Sequence, residues 1–167
     1  SDTSANLATL DALPDSKVMM QMASLTVTDT ATLANANTVN EFTTNQVTLT
    51  SISDTFANIT SIHLLPTSEV TMADATVNVT DQVTKTQAEA INSYTTGQVT
   101  LNSISDTSAN LATLDAIDNA EVTIGTAEVN VLDTVTLANA NTINAYTTGQ
   151  VTLTSISDTF ANITSIH

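Results

Sequence analysis

The 167 residues carry two basic side chains, Lys17 and Lys85, against seventeen acids, for a net charge of -15. That charge excludes a phosphate-backbone partner and leaves no basic face for an anionic membrane. With no Cys there is no disulfide, thiolate nucleophile or Cys-based metal centre. Of the hydrophobic 41%, only Phe42, Phe56, Tyr94, Tyr146 and Phe160 are aromatic, so the expected core is thin and built from Ala, Val, Leu and Ile.

The chain opens on SDTSANLATLDA, an Asp2-led helical signal followed by a turn at Pro14. KVMM at residues 17–20 and SLTVTDT at 24–30 alternate as strands do. A second helix follows Asp29, with Ala31, Ala34, Asn35, Thr38, Val39 and Phe42 on one face of about three turns. In Thr43-Thr44-Asn45, and in the later Thr-Thr-Gly copies at Gly97 and Gly149, the third residue suits a positive φ after a helix. In QVTLTSISDT (46–55), Val47 and Leu49 point inward, and a change of phase at Ser51 brings Ile52 in. Asp54 then reads as an N-cap with Thr55 at N1, and Phe56, Ile59 and Ile62 make an apolar helix face. EVTM, TVNVT, EVTI and EVNVL are the later strand copies.

The order then recurs. SDTSANLATLDA returns at residues 105–116 and SISDTFANITSIH at both 51–63 and 155–167, giving repeats 1–52, 53–104 and 105–156 with a partial copy at 157–167. Within each repeat, Asp2, Asp29, Asp54, Asp81, Asp106, Asp133 and Asp158 are spaced alternately by 27 and 25 residues. Phe56 and Phe160 stand where Ser4 and Ser108 stand, so a 104-residue duplication overlies the 52-residue one. The expected fold is α/β: one solenoid segment, uncapped at both ends, of parallel strands and short helices, each unit being two unlike half-coils. Strands stack at about 4.8 Å and helices at about 8–10 Å. Helices of the two half-coils at different corners would therefore permit a straight rod, whereas helices on one side would force a horseshoe.

The aspartate column invites two readings, a calcium ladder or a set of helix caps, and capping accounts better for acids that each precede a helix. The glycine-rich nonapeptide of calcium-binding rolls is missing. Asn6, Asn58, Asn110 and Asn162 form one amide column, and Asn35, Gln87 and Asn139 another that the helical phase turns inward as a hydrogen-bonded ladder. His63 and His167 lie 104 residues apart at helix ends, with no metal triad or nucleophile–base pattern around them. Neither a Gly-x-Ser-x-Gly elbow nor a paired-carboxylate spacing occurs, so no enzyme is expected. Thr48-Leu49-Thr50 and Thr152-Leu153-Thr154 match an ice-binding Thr-x-Thr, but Asn102 breaks the array. There is no signal-peptide pattern at Ser1 and no apolar run of about eighteen residues, so membrane insertion is not expected.

VTLTSISDTFANITSI and VTLNSISDTSANLATLDA resemble the repeats of very long Thr- and Asn-rich proteins of Gram-negative bacteria and cyanobacteria: adhesins, sheath components or fibres. The resemblance implies an extracellular or cell-surface structural role, without cofactor or catalytic residues. The expected partners are copies stacked end to end or flanking repeats of the same long chain. A surface adhesin or a binding module for glycan, calcium or ice is the alternative.

Overall fold

The computed structural model describes residues 1–14, 18–66, 69–114 and 122–164. Helices α1 (Ser4–Asp11), α2 (Leu33–Asn40), α3 (Phe56–His63), α4 (Lys85–Asn92), α5 (Ser108–Leu111), α6 (Leu137–Tyr146) and α7 (Phe160–Ile163) alternate with strands. The strands are β1 (Leu25–Ala31), β2 (Val47–Asp54), β3 (Val70–Thr71), β4 (Thr76–Val83), β5 (Val99–Asp106), β6 (Val122–Thr123), β7 (Glu128–Val135) and β8 (Val151–Ile156). The protein is α/β: the eight strands form one parallel sheet, ordered β1-β2-β4-β5-β7-β8, with β3 also on β2 and β6 also on β5. A parallel neighbour requires a crossover, and among the described residues each crossover between the six main strands carries one helix.

The chain divides into two compact units, Ser1–Asn78 with Ser93–Gln98, and Val79–Asn92 with Val99–His167. In the first, Val47, Leu49, Ile52, Ile59 and Ile62 are buried with Val27, Ala31 and Val39. In the second, Val99, Leu101, Ile104, Leu111, Val129, Val131, Val135 and Ile143 play the same part. The change of strand phase has a visible cause. On β1, Val27 pairs with Leu49 but Thr30 with Ser51, and on β7, Val131 pairs with Leu153 but Thr134 with Ser155. One extra residue therefore bulges from β1 and from β7. The Thr50 hydroxyl donates to the Val27 carbonyl at 2.9 Å, and Thr154 does the same to Val131, supplying a donor beside the interrupted ladder.

Three expectations are corrected. KVMM forms no strand over Val18–Met20, and Lys17 lies outside the described residues. Its counterparts β3 and β6 owe their two residues each to pairing with β2 and β5 through Val47↔Val70 and Val99↔Val122. The helix after β1 spans eight residues rather than three turns, and it buries Ala36 and Val39 while Ala34 and Thr38 are exposed. No residue described has positive φ. Gly97 and Gly149 are there for room, since a Cβ would stand 2.2 Å from the Ala75 carbonyl oxygen and 2.3 Å from that of Ala127.

Those close turns are held by buried threonines. The hydroxyls of Thr43, Thr95 and Thr147 donate to the carbonyls of Ala23, Ala75 and Ala127, each at 2.6 Å. Thr95 also accepts from the Gly97 amide at 2.9 Å. Thr95→Val keeps the shape but leaves a buried carbonyl and an amide without these bonds, so unfolding in urea should show a loss of about 1–3 kcal/mol. A midpoint equal to the parent's would show that these bonds contribute nothing.

Candidate functional site

The aspartate column is the most regular polar feature, and its geometry follows from where the helices begin. A helix leaves its first amides without internal partners. At each helix the residue before the first turn is a threonine: Thr3, Thr55, Thr107 and Thr159 accept from the amides of Asn6, Asn58, Asn110 and Asn162. Thr32 and Thr136 accept from Asn35 and Asn139, and Thr84 from Gln87. Threonine is thus the N-cap, and the expectation that Asp54 holds that place is corrected. Asp and Thr are adjacent cap-forming residues, and here the hydroxyl sits at the right distance from the third amide.

The aspartates do a second, longer-range job, in two arrangements. Asp54 ends β2, and its Oδ1 accepts from the Thr55 amide at 2.8 Å and from Asn58 Nδ2 at 2.7 Å. Its Oδ2 accepts from the Leu33 amide, the first of α2, at 2.9 Å. Asp106 binds Thr107, Asn110 and the Lys85 amide in the same way, and Asp158 binds Thr159, Asn162 and the Leu137 amide. Asp2 makes the local pair of bonds to Thr3 and Asn6. In the second arrangement the bulge residues Asp29 and Asp133 take the first amides of α1 and α5 from Ser4 at 2.8 Å and Ser108 at 2.6 Å, together with the serine hydroxyls. Asp81 occupies the corresponding place on β4. A carboxylate on one half-repeat therefore closes the helix of the half-repeat before it, where the helix dipole favours negative charge.

The amide columns are consumed by the same work. Asn58, Asn110 and Asn162 bind their own aspartates, and the side-chain oxygens of Asn35 and Gln87 accept from the Thr32 and Thr84 amides at 3.0 and 2.8 Å. They fold back on their own caps, which corrects the inward ladder. His63 is the last residue of α3 and exposed, with its ring stacked 3.9 Å from that of Tyr94; His167 lies outside the described residues. A hollow of about 130 Å³ beside this pair, lined by Ile62, Val70 and Met72, is well below the size of a drug-like ligand pocket. Among the described residues no three His, Asp or Glu side chains gather as a metal site would need, and no helix is long and apolar enough to cross a membrane.

The electrostatics follow the bonds. Burial of Asp54 and Asp106 opposes ionisation, but the donated amides and Asn side chains outweigh it and hold both carboxyls below the usual carboxylate range. Asp29 is lowered against burial by the Ser4 amide and hydroxyl. Asp2 is lowered chiefly by Asn6, and Asp158 chiefly by the Leu137 amide. No family model, curated protein or solved structure matches the chain.

Because these folded-state values are depressed, the stabilisation they give is present above the unfolded Asp value of about 3.9 and is lost as pH falls through the folded values. Thermal unfolding followed by circular dichroism should show a melting temperature level near neutrality that declines below about pH 5. The double substitution D54N/D106N should start lower at pH 7 and decline less. A parent and variant with parallel pH profiles would remove these two residues from the acid response.

Proposed function

We propose that the chain is a non-enzymatic structural segment of a long extracellular or cell-surface repeat protein, its half-repeats wound as the coils of a solenoid whose product is length. The observation that carries this reading is the recurrent joint: Asp54, Asp106 and Asp158 each close the first amide of a helix 21 residues earlier. The joint recurs with the 52-residue period of the sequence, so a unit added in register meets the partners its predecessor met. The extracellular setting is supported by the composition, with seventeen acids, two basic residues and no Cys. The phrase Val-Thr-Leu-Thr-Ser-Ile-Ser-Asp-Thr at residues 47–55, which resembles surface-protein repeats, points the same way. End-to-end contact with further repeats, in the same chain or in another copy, is the partnership this role requires.

Two strands per unit predict an advance of about 9.6 Å for each added repeat. Chains carrying one and two extra copies of residues 53–104 should therefore lengthen by about 10 Å per copy in small-angle scattering, with constant cross-section. A maximum dimension growing only as the cube root of mass would overturn the solenoid. Calcium should leave the melting temperature where it was, and a rise would favour the binding-module alternative.

A further inference from the structure

Leu64 follows the last turn of α3 and is 75% exposed, while its amide is held by the carbonyls of Thr60 and Ile62. The helix end thus presents an aliphatic side chain to water on a fixed backbone. One residue earlier, the His63 ring stacks on that of Tyr94 with 11° between their planes. These two rings and the buried side chains of Ile62, Val70 and Met72 line the hollow of about 130 Å³. All of these residues belong to the first compact unit, and helices and strands precede and follow them in the chain.

The neighbouring repeats differ at this place. His63 and Leu64 stand in the columns of Asp11 and Ala12, and of Asp115 and Ala116. An imidazole replaces a carboxylate and an isobutyl group replaces a methyl, side by side. Tyr94 stands in the column of Phe42 and Tyr146, so the aromatic wall is general whereas the histidine and the leucine are not. The helix end does not require the leucine, because Ala12 closes α1 with φ -70 and ψ -8 where Leu64 has -80 and -8. A lone exposed leucine needs no explanation. One beside an apolar hollow, where the surface has also lost its acid, does. A cavity of about 150 Å³ lined by apolar side chains takes up benzene, so about 130 Å³ has room for an isobutyl group.

We propose that this patch pairs side by side with the same patch of a second copy, each Leu64 entering the other copy's hollow against Ile62, Val70 and Met72. A two-fold pair uses one surface twice, so it needs a patch that carries both a projection and a recess. This one does: Leu64 is too exposed to be filling its own hollow. The charge favours a second copy as the occupant. Chains of net charge -15 repel one another, and His63 in place of an aspartate removes one carboxylate per copy from the contact. The contact is far below the roughly 1,200–2,000 Å² of a standard stable interface, so one pair is weak. Along a repeat array several such patches act together, and multivalency turns weak pairing into lateral bundling. The bundling rests on the repeat reading above; the pairing of two single segments does not.

Sedimentation equilibrium of the full chain, up to about 1 mM protein and in about 0.5 M salt to screen the charge, tests the pairing. The parent should pass from monomer to dimer over this range. The variant H63D/L64A carries the residues of the neighbouring repeats, so it should keep the parent's melting temperature and associate about tenfold more weakly. In the parent alone, the Met72 methyl signal should shift with protein concentration in nuclear magnetic resonance spectra. A parent that stays monomeric at about 1 mM overturns the pairing, as does a variant that associates like the parent or a dimer that leaves the Met72 methyl unmoved. A monomeric parent whose Met72 methyl shifts on adding N-acetyl-leucine amide would give the hollow to another protein instead. Chains with two extra copies of residues 53–104 carry two further patches, and should associate more tightly than the parent. Pairing of the parent with no gain in the longer chains would strike the repeat reading and leave the contact standing.

Discussion

The constraint on which the rest depends is that, among the described residues, no helix is long enough to hold itself. Free helices below about 12–15 residues are marginal in water, and these run from four to ten. A helix of eight residues leaves half its amides without an internal partner. The chain answers with two acceptors per helix start: a threonine hydroxyl on the third amide and, where Asp29, Asp54, Asp106, Asp133 and Asp158 reach back, a carboxylate from the following half-repeat on the first. The second acceptor is the telling one, because it makes a local element depend on its neighbour. It also gives the acids something other than lysine to face. In a chain with two basic residues, helix dipoles and donated amides take the place of counter-charges.

Threonine carries three separate duties, which accounts for its abundance better than an ordered hydroxyl array would. Thr55 caps a helix, Thr95 covers a buried carbonyl in a turn too tight for a Cβ at Gly97, and Thr50 donates at the bulge. Each side chain satisfies a backbone group that regular parallel pairing leaves open, and a buried open group costs about 1–3 kcal/mol. Serine could supply the hydroxyl. The β-branched methyl of threonine also suits the extended backbone on both sides of each helix.

Much of the architecture was legible because repetition amplifies weak signals. One copy of VTLTSISDT is an ambiguous strand; several copies with Val47, Leu49 and Ile52 at the same offsets fix its phase, and the structure buries all three. The α/β class and the helix-before-strand order came from the same source. The errors have physical causes. Asp54 and Thr55 are both good caps, and the sequence cannot say which oxygen lies nearer the third amide. In LANANTVN the apolar residues are small and few, so the face set by Ala36 and Val39 barely outweighs one set by Ala34 and Thr38. Gly97 looks like a left-handed turn residue until the approach of Ala75 is seen. The reach of Asp54 to Leu33 links residues 21 apart, which no local pattern reports.

The unlike halves of the unit can be understood as protection against slipping. A chain of near-identical parallel strands risks pairing in the wrong register, and tandem repeats are prone to misassembly. Here successive strands differ in construction. β1 and β7 carry a bulge, with Asp29 or Asp133 reaching a helix start 25 residues back. β2 and β5 end in Asp54 and Asp106, which reach helix starts 21 residues back. A slip by one half-repeat would set a bulged strand where an even one belongs, leaving its aspartate out of step with the amide it must meet. Each mismatch costs a cap and a buried carbonyl together, so the penalty accumulates along the array. A slip by a whole unit costs much less, because the 52-residue period restores both. The minimum unit that resists slippage is therefore the pair of half-repeats, and the sequence repeats at that length.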